Sequence, residues 1–114
     1  MVNTESFKEL ALSFPNTIEQ PHFEKTSFRV NKKIFATLDI PNTRACVKLS
    51  EIDQSVFCSV DKKVIYPVDN KWGKQGWTII ELNHIKKSML TDALTVAYCE
   101  VAPKTLAQLI CNGK

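Results

Sequence analysis

Three extended runs lie in close succession, Phe23 to Val30, Ile34 to Ile40 and Arg44 to Leu49. The gaps between them constrain the fold more than any other feature of the chain. Only Asn31-Lys32-Lys33 separates the first pair and only Pro41-Asn42-Thr43 the second. Gaps this short and polar reverse a strand, whereas a parallel pairing needs a crossover of about a dozen residues or more. The runs are therefore expected to form an antiparallel meander. Successive strand side chains point to opposite sides. That alternation puts Ile34, Ala36 and Leu38 on one face of the second run. It gives the third run an apolar face of Ala45, Val47 and Leu49, with Arg44, Cys46 and Lys48 on the reverse.

Helical spacing brackets the meander. Phe7, Leu10, Ala11 and Phe14 recur at i, i+3, i+4 and i+7, with Asn3 or Thr4 placed to cap and Pro15 to terminate. Asn16 to Pro21 is polar and turn-rich and reads as a connector. Ser50 is placed to cap a short helix through about Cys58, with Asp53 at capping-box spacing and Ile52, Val56 and Phe57 available to the core. Asp61-Lys62-Lys63 reads as a turn, and Val64 to Val68 as extended, at an edge because of Pro67. Asp69 to Gly76 holds two of the three glycines and is the least regular stretch. It leads into a strand, Trp77 to Leu82, whose Ile80 and Leu82 are expected in the core. A helical stripe of Leu90, Ala93, Leu94, Ala97, Tyr98 and Val101 follows, with Asn83 as its cap. Pro103 breaks it and opens a last helical piece, Lys104 to Ile110.

This order predicts an α+β fold, a two-layer sandwich with an antiparallel sheet and helices packed on one face. At 114 residues, with 44% hydrophobic and 24% charged residues, the chain fits a single domain over 1–114 whose ordinary core needs no staple. No run approaches the ~18 apolar residues of a membrane span. Met1 to Phe7 carries Glu5 and no apolar signal core, so a cytoplasmic location and no membrane partner are expected.

The chemistry-bearing residues are sparse. Cys46, Cys58, Cys99 and Cys111 are separated by 11, 40 and 11 residues, and His22 and His84 stand beside none of them. That spacing lacks the tight pairs of structural zinc, so no metal, no cofactor and four free thiols are expected. The two histidines read as structural or solvated. Phosphate-loop, dinucleotide, hydrolase-elbow and zincin motifs are all absent, and the chain is not expected to be an enzyme.

Charge is distributed unevenly. The net charge is only +3, yet residues 25–50 hold four Lys and two Arg against Asp39 alone. Clustered cations are the footprint of a polyanion partner, although lysines at turns also serve solubility. Lys71-Trp72-Gly73-Lys74 adds an indole between two ammonium groups, a combination that can stack on a base while contacting phosphates. Trp77 reads as an apolar plug over the sheet, and Trp72 is open between plug and exposed group.

Four motifs in order, Phe28-Arg29-Val30 with Lys33-Ile34-Phe35-Ala36-Thr37-Leu38, Val47-Lys48-Leu49-Ser50, Gly76-Trp77, and Tyr98 with Val101-Ala102-Pro103-Lys104, resemble the MmcQ/YjbR family over nearly the whole chain. The resemblance implies a fold like that of the bacterial frataxin homologue and a DNA-binding role in which basic hairpins act as paired wings. On this chain the wings would be Lys32 and Lys33, and Lys71 and Lys74 beside Trp72, with Arg29, Arg44 and Lys48 as flanking backbone contacts. The first helix offers only Glu5 and Glu9, which argues against frataxin-like iron handling. The expected function is thus weak, largely sequence-independent DNA binding without catalysis. A protein-interaction or regulatory adaptor, with a protein partner on the sheet face, is the alternative.

Overall fold

The computed structural model describes residues 2–111, the side chain of Cys111 excepted. Its elements run α1 (Thr4–Leu12), β1 (Thr17–His22), β2 (Lys25–Val30), β3 (Lys33–Asp39), β4 (Arg44–Lys48), α2 (Glu51–Cys58), β5 (Ile65–Pro67), α3 (Lys71–Lys74), β6 (Trp77–Glu81), α4 (Lys87–Val101) and α5 (Lys104–Cys111). One antiparallel sheet has the order β1-β2-β3-β4-β6-β5, and α4 packs across β3 and β4. The α+β sandwich is as expected.

Local chemistry sets the element ends. Asn3 caps α1, its Oδ1 accepting from the Ser6 amide at 2.7 Å. Ser50 caps α2, its Oγ accepting from the Asp53 amide at 3.1 Å and donating to the Asp53 carboxylate at 3.0 Å. Asn31 and Lys32 link β2 to β3 with φ of 51° and 70°, the paired positive values of a type I′ hairpin turn. Asn83 caps nothing, since α4 begins at Lys87 with no side-chain cap.

The connector expected at Asn16 to Pro21 is instead strand β1, paired with β2 from Thr17↔Val30 to His22↔Lys25. It is an edge strand whose residues are mostly exposed, so it carries no apolar alternation to reveal it, and Pro21 is tolerated there. The second correction concerns Ile34. Phe28 pairs with Ala36 but Arg29 with Ile34, so β3 bulges at Phe35. The extra residue swings Phe35 into the core beside Ala36 and turns Ile34 to the opposite face. Ala36, Leu38, Val47, Leu49 and Ile80 are buried together as expected.

Two further expectations fail for packing reasons. Ile52 and Val56 are 77% and 59% exposed, because α2 touches the body chiefly at β5 and only Phe57 and Cys58 reach the core. Cys99 is disulfide-bonded, while Cys46 and Cys58 are free. The turn at Pro103 folds α5 back on α4, so the Cys99 Sγ lies 4.0 Å from the Ala107 carbonyl. Linear spacing hides that approach. The fourth expected thiol, Cys111, has its side chain outside the described residues.

On the bulged strand, Phe35→Ala is expected to cost about 3–5 kcal/mol in chemical unfolding, as for other buried aromatics. Ile34→Ala should cost less than about 1.5 kcal/mol, since that side chain is only half-buried. A straight strand would give the reverse order. Gly76 has φ of +106°, and a Cβ there would fall 1.8 Å from the Leu49 carbonyl oxygen. Gly76→Ala should therefore destabilise by more than about 2 kcal/mol, combining backbone strain with that clash.

Candidate functional site

Helices cover one face of the sheet and leave much of the other open. Strand register assigns the open face: His22 on β1, Lys25 and Arg29 on β2, Thr37 and Asp39 on β3, Arg44, Cys46 and Lys48 on β4, Tyr66 on β5, and Trp77, Ile79 and Glu81 on β6. The stretch from Asp69 to Gly76 folds over one end of this face. Asn70 caps α3 through the Trp72 amide at 2.8 Å. Gln54 of α2 then clamps the loop, its Nε2 donating to the Gly73 carbonyl at 2.9 Å and the Thr78 hydroxyl at 3.1 Å. Gly73 lies so close to Val68 that a Cβ would fall 1.9 Å from its carbonyl oxygen. α3 is thus held by its backbone, and Trp72 is left 49% exposed.

Between this loop and the β1–β2 hairpin lies a depression of about 520 Å³. Trp72, Trp77 and Asn70 form one end, His22 and Lys25 the other, with Ile34, Thr37, Cys46 and Val68 between. A smaller hollow of about 140 Å³ adjoins it, sharing Lys25, Thr37, Cys46 and Val68 and adding Asp39, Arg44 and Ile79. Burial pushes the Cys46 thiol up to about 11, against a smaller opposing effect of the Lys25 charge. At neutral pH Cys46 is therefore a neutral, weakly nucleophilic thiol.

The eight cationic and aromatic residues expected to bind nucleic acid divide by position. Lys32 and Lys33 at the β2–β3 turn, and Lys71, Trp72 and Lys74 on α3, are exposed. They share one end of the sheet, because β3 starts where β4 ends, and Lys48 at that point pairs with Trp77. The Lys71 ammonium lies 5.5 Å from the Trp72 ring centre, a cation–π separation. Arg29 and Lys48 are half-buried at the same end and already engaged. Arg29 Nε donates to the Ser27 hydroxyl at 3.0 Å, and Lys48 Nζ to the Leu49 carbonyl at 3.3 Å. Arg44 lies at the opposite end, its Nε donating to Glu81 at 3.1 Å. The same carboxylate accepts from the Tyr66 hydroxyl, and burial, followed by that hydrogen bond, raises the phenol's pKa.

Sequence reasoning missed His22, Lys25 and Asn70 as lining residues. Lys25 and His22 face the depression only because β1 exists and pairs with β2, and β1 gave no apolar signal. Asn70 had one readable clue, its position just before Lys71, where Asn caps helices. Among the described residues no three His, Cys, Asp or Glu side chains gather to hold a metal ion. No described helix is long and apolar enough to cross a membrane.

No curated protein matches the chain. The fold is similar to the crystal structure of the Deinococcus radiodurans protein DR2400, which carries the domain of family model DUF419. The TM-score is 0.80 at 18% identity, over 98% of this chain and 87% of that one. The sequence model of the family described as YjbR matches residues 12–100, which takes in the whole sheet and all but the end of α4. The chain belongs to the YjbR family.

Proposed function

We propose that this chain is a small, non-catalytic cytoplasmic module that binds DNA weakly and with little sequence preference through the lysines at one end of its sheet. One arrangement supports this reading. Lys32 and Lys33 from the hairpin turn, and Lys71 and Lys74 from α3, stand exposed at the same end. The ion pairs among the described residues join Lys8 to Glu19 and Arg44 to Glu81, so none of these four charges is in an ion pair among the described residues. Asp69, next to α3, offsets only part of them. Thirteen of the fifteen cations are Lys, which act as point charges on phosphates, whereas reading guanine edges favours Arg forks. Arg29 and Arg44 already donate to Ser27 and Glu81, so little base-specific recognition is expected.

A second reading, a protein-interaction or regulatory adaptor, is favoured by a different observation. Ile52, Val56 and Val60 are exposed by 77%, 59% and 60% along α2 and just past its end, a spacing that puts them on one side of the helix. Exposed apolar groups in a row, unlike single ones, mark contact surfaces.

Changing Lys32, Lys33, Lys71 and Lys74 together to Ala should weaken binding to mixed-sequence duplex DNA uniformly across sequences. Each lost phosphate contact lowers the log–log salt slope by about 0.9, so four contacts would remove about 3–4 units. The melting temperature should barely move, since exposed substitutions usually change stability by less than about 0.5 kcal/mol. Absence of wild-type binding even at low salt would sink the DNA reading and leave the adaptor, with α2 as its surface. Unchanged binding by the quadruple variant would remove these lysines as the contact site.

A further inference from the structure

We propose that the depression on the open sheet face is a binding site for a single nucleotide unit, its base against Trp72 and Trp77 and its phosphate at the Lys25 and His22 end. This site lies on the sheet face rather than at its lysine-bearing end, and it does not depend on duplex binding there.

The two tryptophans are the whole complement of the chain, and both line this one cavity. Trp77 is placed by its pairing with Lys48. Trp72 is placed by the Asn70 cap and by the tight approach of Gly73 to Val68. An indole fixed by its backbone yet left half-exposed at the rim of a cavity is a pre-organised stacking platform, and flat aromatic ligands exploit such platforms at little ordering cost. The cavity's volume of about 520 Å³ falls within the range of roughly 300–1,000 Å³ typical of small-molecule sites.

Polarity along the cavity matches a base joined to a phosphate. From Trp77 to Ile79, whose partner across the ladder is Cys46, the strand advances by about 7 Å. Lys25 lines the cavity beyond Cys46, at the end away from the indoles, about the reach of a phosphate from a base stacked on them. His22, half-buried beside it, adds a ring nitrogen at the same end. No acidic side chain lines this cavity. Asp39 belongs to the adjoining hollow, and Glu81 is taken up by Arg44 and Tyr66. Thr37 and Asn70 offer hydrogen-bonding groups for base or sugar edges. Cys46, neutral at physiological pH, contributes a soft apolar wall and no covalent chemistry.

Both tryptophans lie in the cavity, so intrinsic fluorescence of the full chain reads occupancy directly. Titration with AMP should give saturable quenching. Adenosine, lacking the phosphate, should bind about tenfold more weakly, the loss expected for a charge-assisted contact. Trp72→Ala, with Trp77 still reporting, should weaken AMP by about tenfold or more through the lost stacking. Lys25→Ala should weaken AMP but not adenosine. A Lys32, Lys33 and Lys74 triple variant, which leaves the Lys71 contact with the Trp72 ring in place, should keep AMP binding, which separates this site from the DNA surface. A short oligothymidylate distinguishes the sources of the ligand. If it binds with the same dependence on Trp72 and Lys25 while AMP does not, the nucleotide unit belongs to a single strand. No quenching by either at millimolar concentration overturns the proposal, as does binding indifferent to both Trp72→Ala and Lys25→Ala.

Discussion

Tyr98 is the contact on which the rest of the structure depends. Its ring stacks on Phe14 at 5.0 Å and meets the edge of Phe35 at 5.4 Å, while its hydroxyl donates to the Pro15 carbonyl at 2.7 Å. One side chain of α4 therefore fixes the end of the first helical segment, the bulge of β3 and the helix itself. Aromatic pairs in these geometries contribute about 0.5–1.5 kcal/mol each beyond burial. The hydroxyl satisfies a carbonyl left without a helical partner past the end of α1. The bulge at Phe35 has meaning only in this setting. It turns an aromatic inward to meet Tyr98 and, by the same half-turn, sets Ile34 on the open face.

One-sided covering follows from that clamp. With α4 held across β3 and β4, and with Phe7 of α1 packed edge-on against Phe28 at 5.6 Å, the helices saturate one face of the sheet. No element of comparable size is left to cover the other. What reaches it is a four-residue helix whose placement is steric: Gly73 and Gly76 allow backbone to lie against Val68 and Leu49 at distances no side chain would permit. The Leu49 amide donates to the Gly76 carbonyl at 2.9 Å, completing the join. The exposed indole of Trp72 is a consequence of that backbone packing.

Charges sort themselves along the same geometry. At one end of the open face, Arg44, Glu81 and Tyr66 form a closed hydrogen-bonded group that leaves little net charge. At the other, a type I′ turn and the α3 loop hold four lysines outward, with Asp69 as the nearby acid in that loop. A modest net charge of +3 thus becomes a local field, because opposite charges are paired in one place and outnumbered in another.

The sequence by itself determined the meander, since gaps of two to four residues allow nothing but antiparallel pairing. It determined the core faces of β4 and β6 through strict alternation, and the caps at Asn3 and Ser50 through local hydrogen-bonding chemistry. These are short-range effects, so a short window of residues contains their cause. The candidate cations at the two turns were legible for the same reason. Tertiary structure alone decided the existence of β1, whose polar edge position carries no periodic signal, and the bulge that exchanged Ile34 for Phe35. It also decided the exposure of Ile52 and Val56, the bonding of Cys99 and the meeting of His22 and Lys25 with two tryptophans some fifty residues away. In each of these the deciding partner is remote in sequence, and local propensity records what a residue prefers, not which distant surface arrives to cover it.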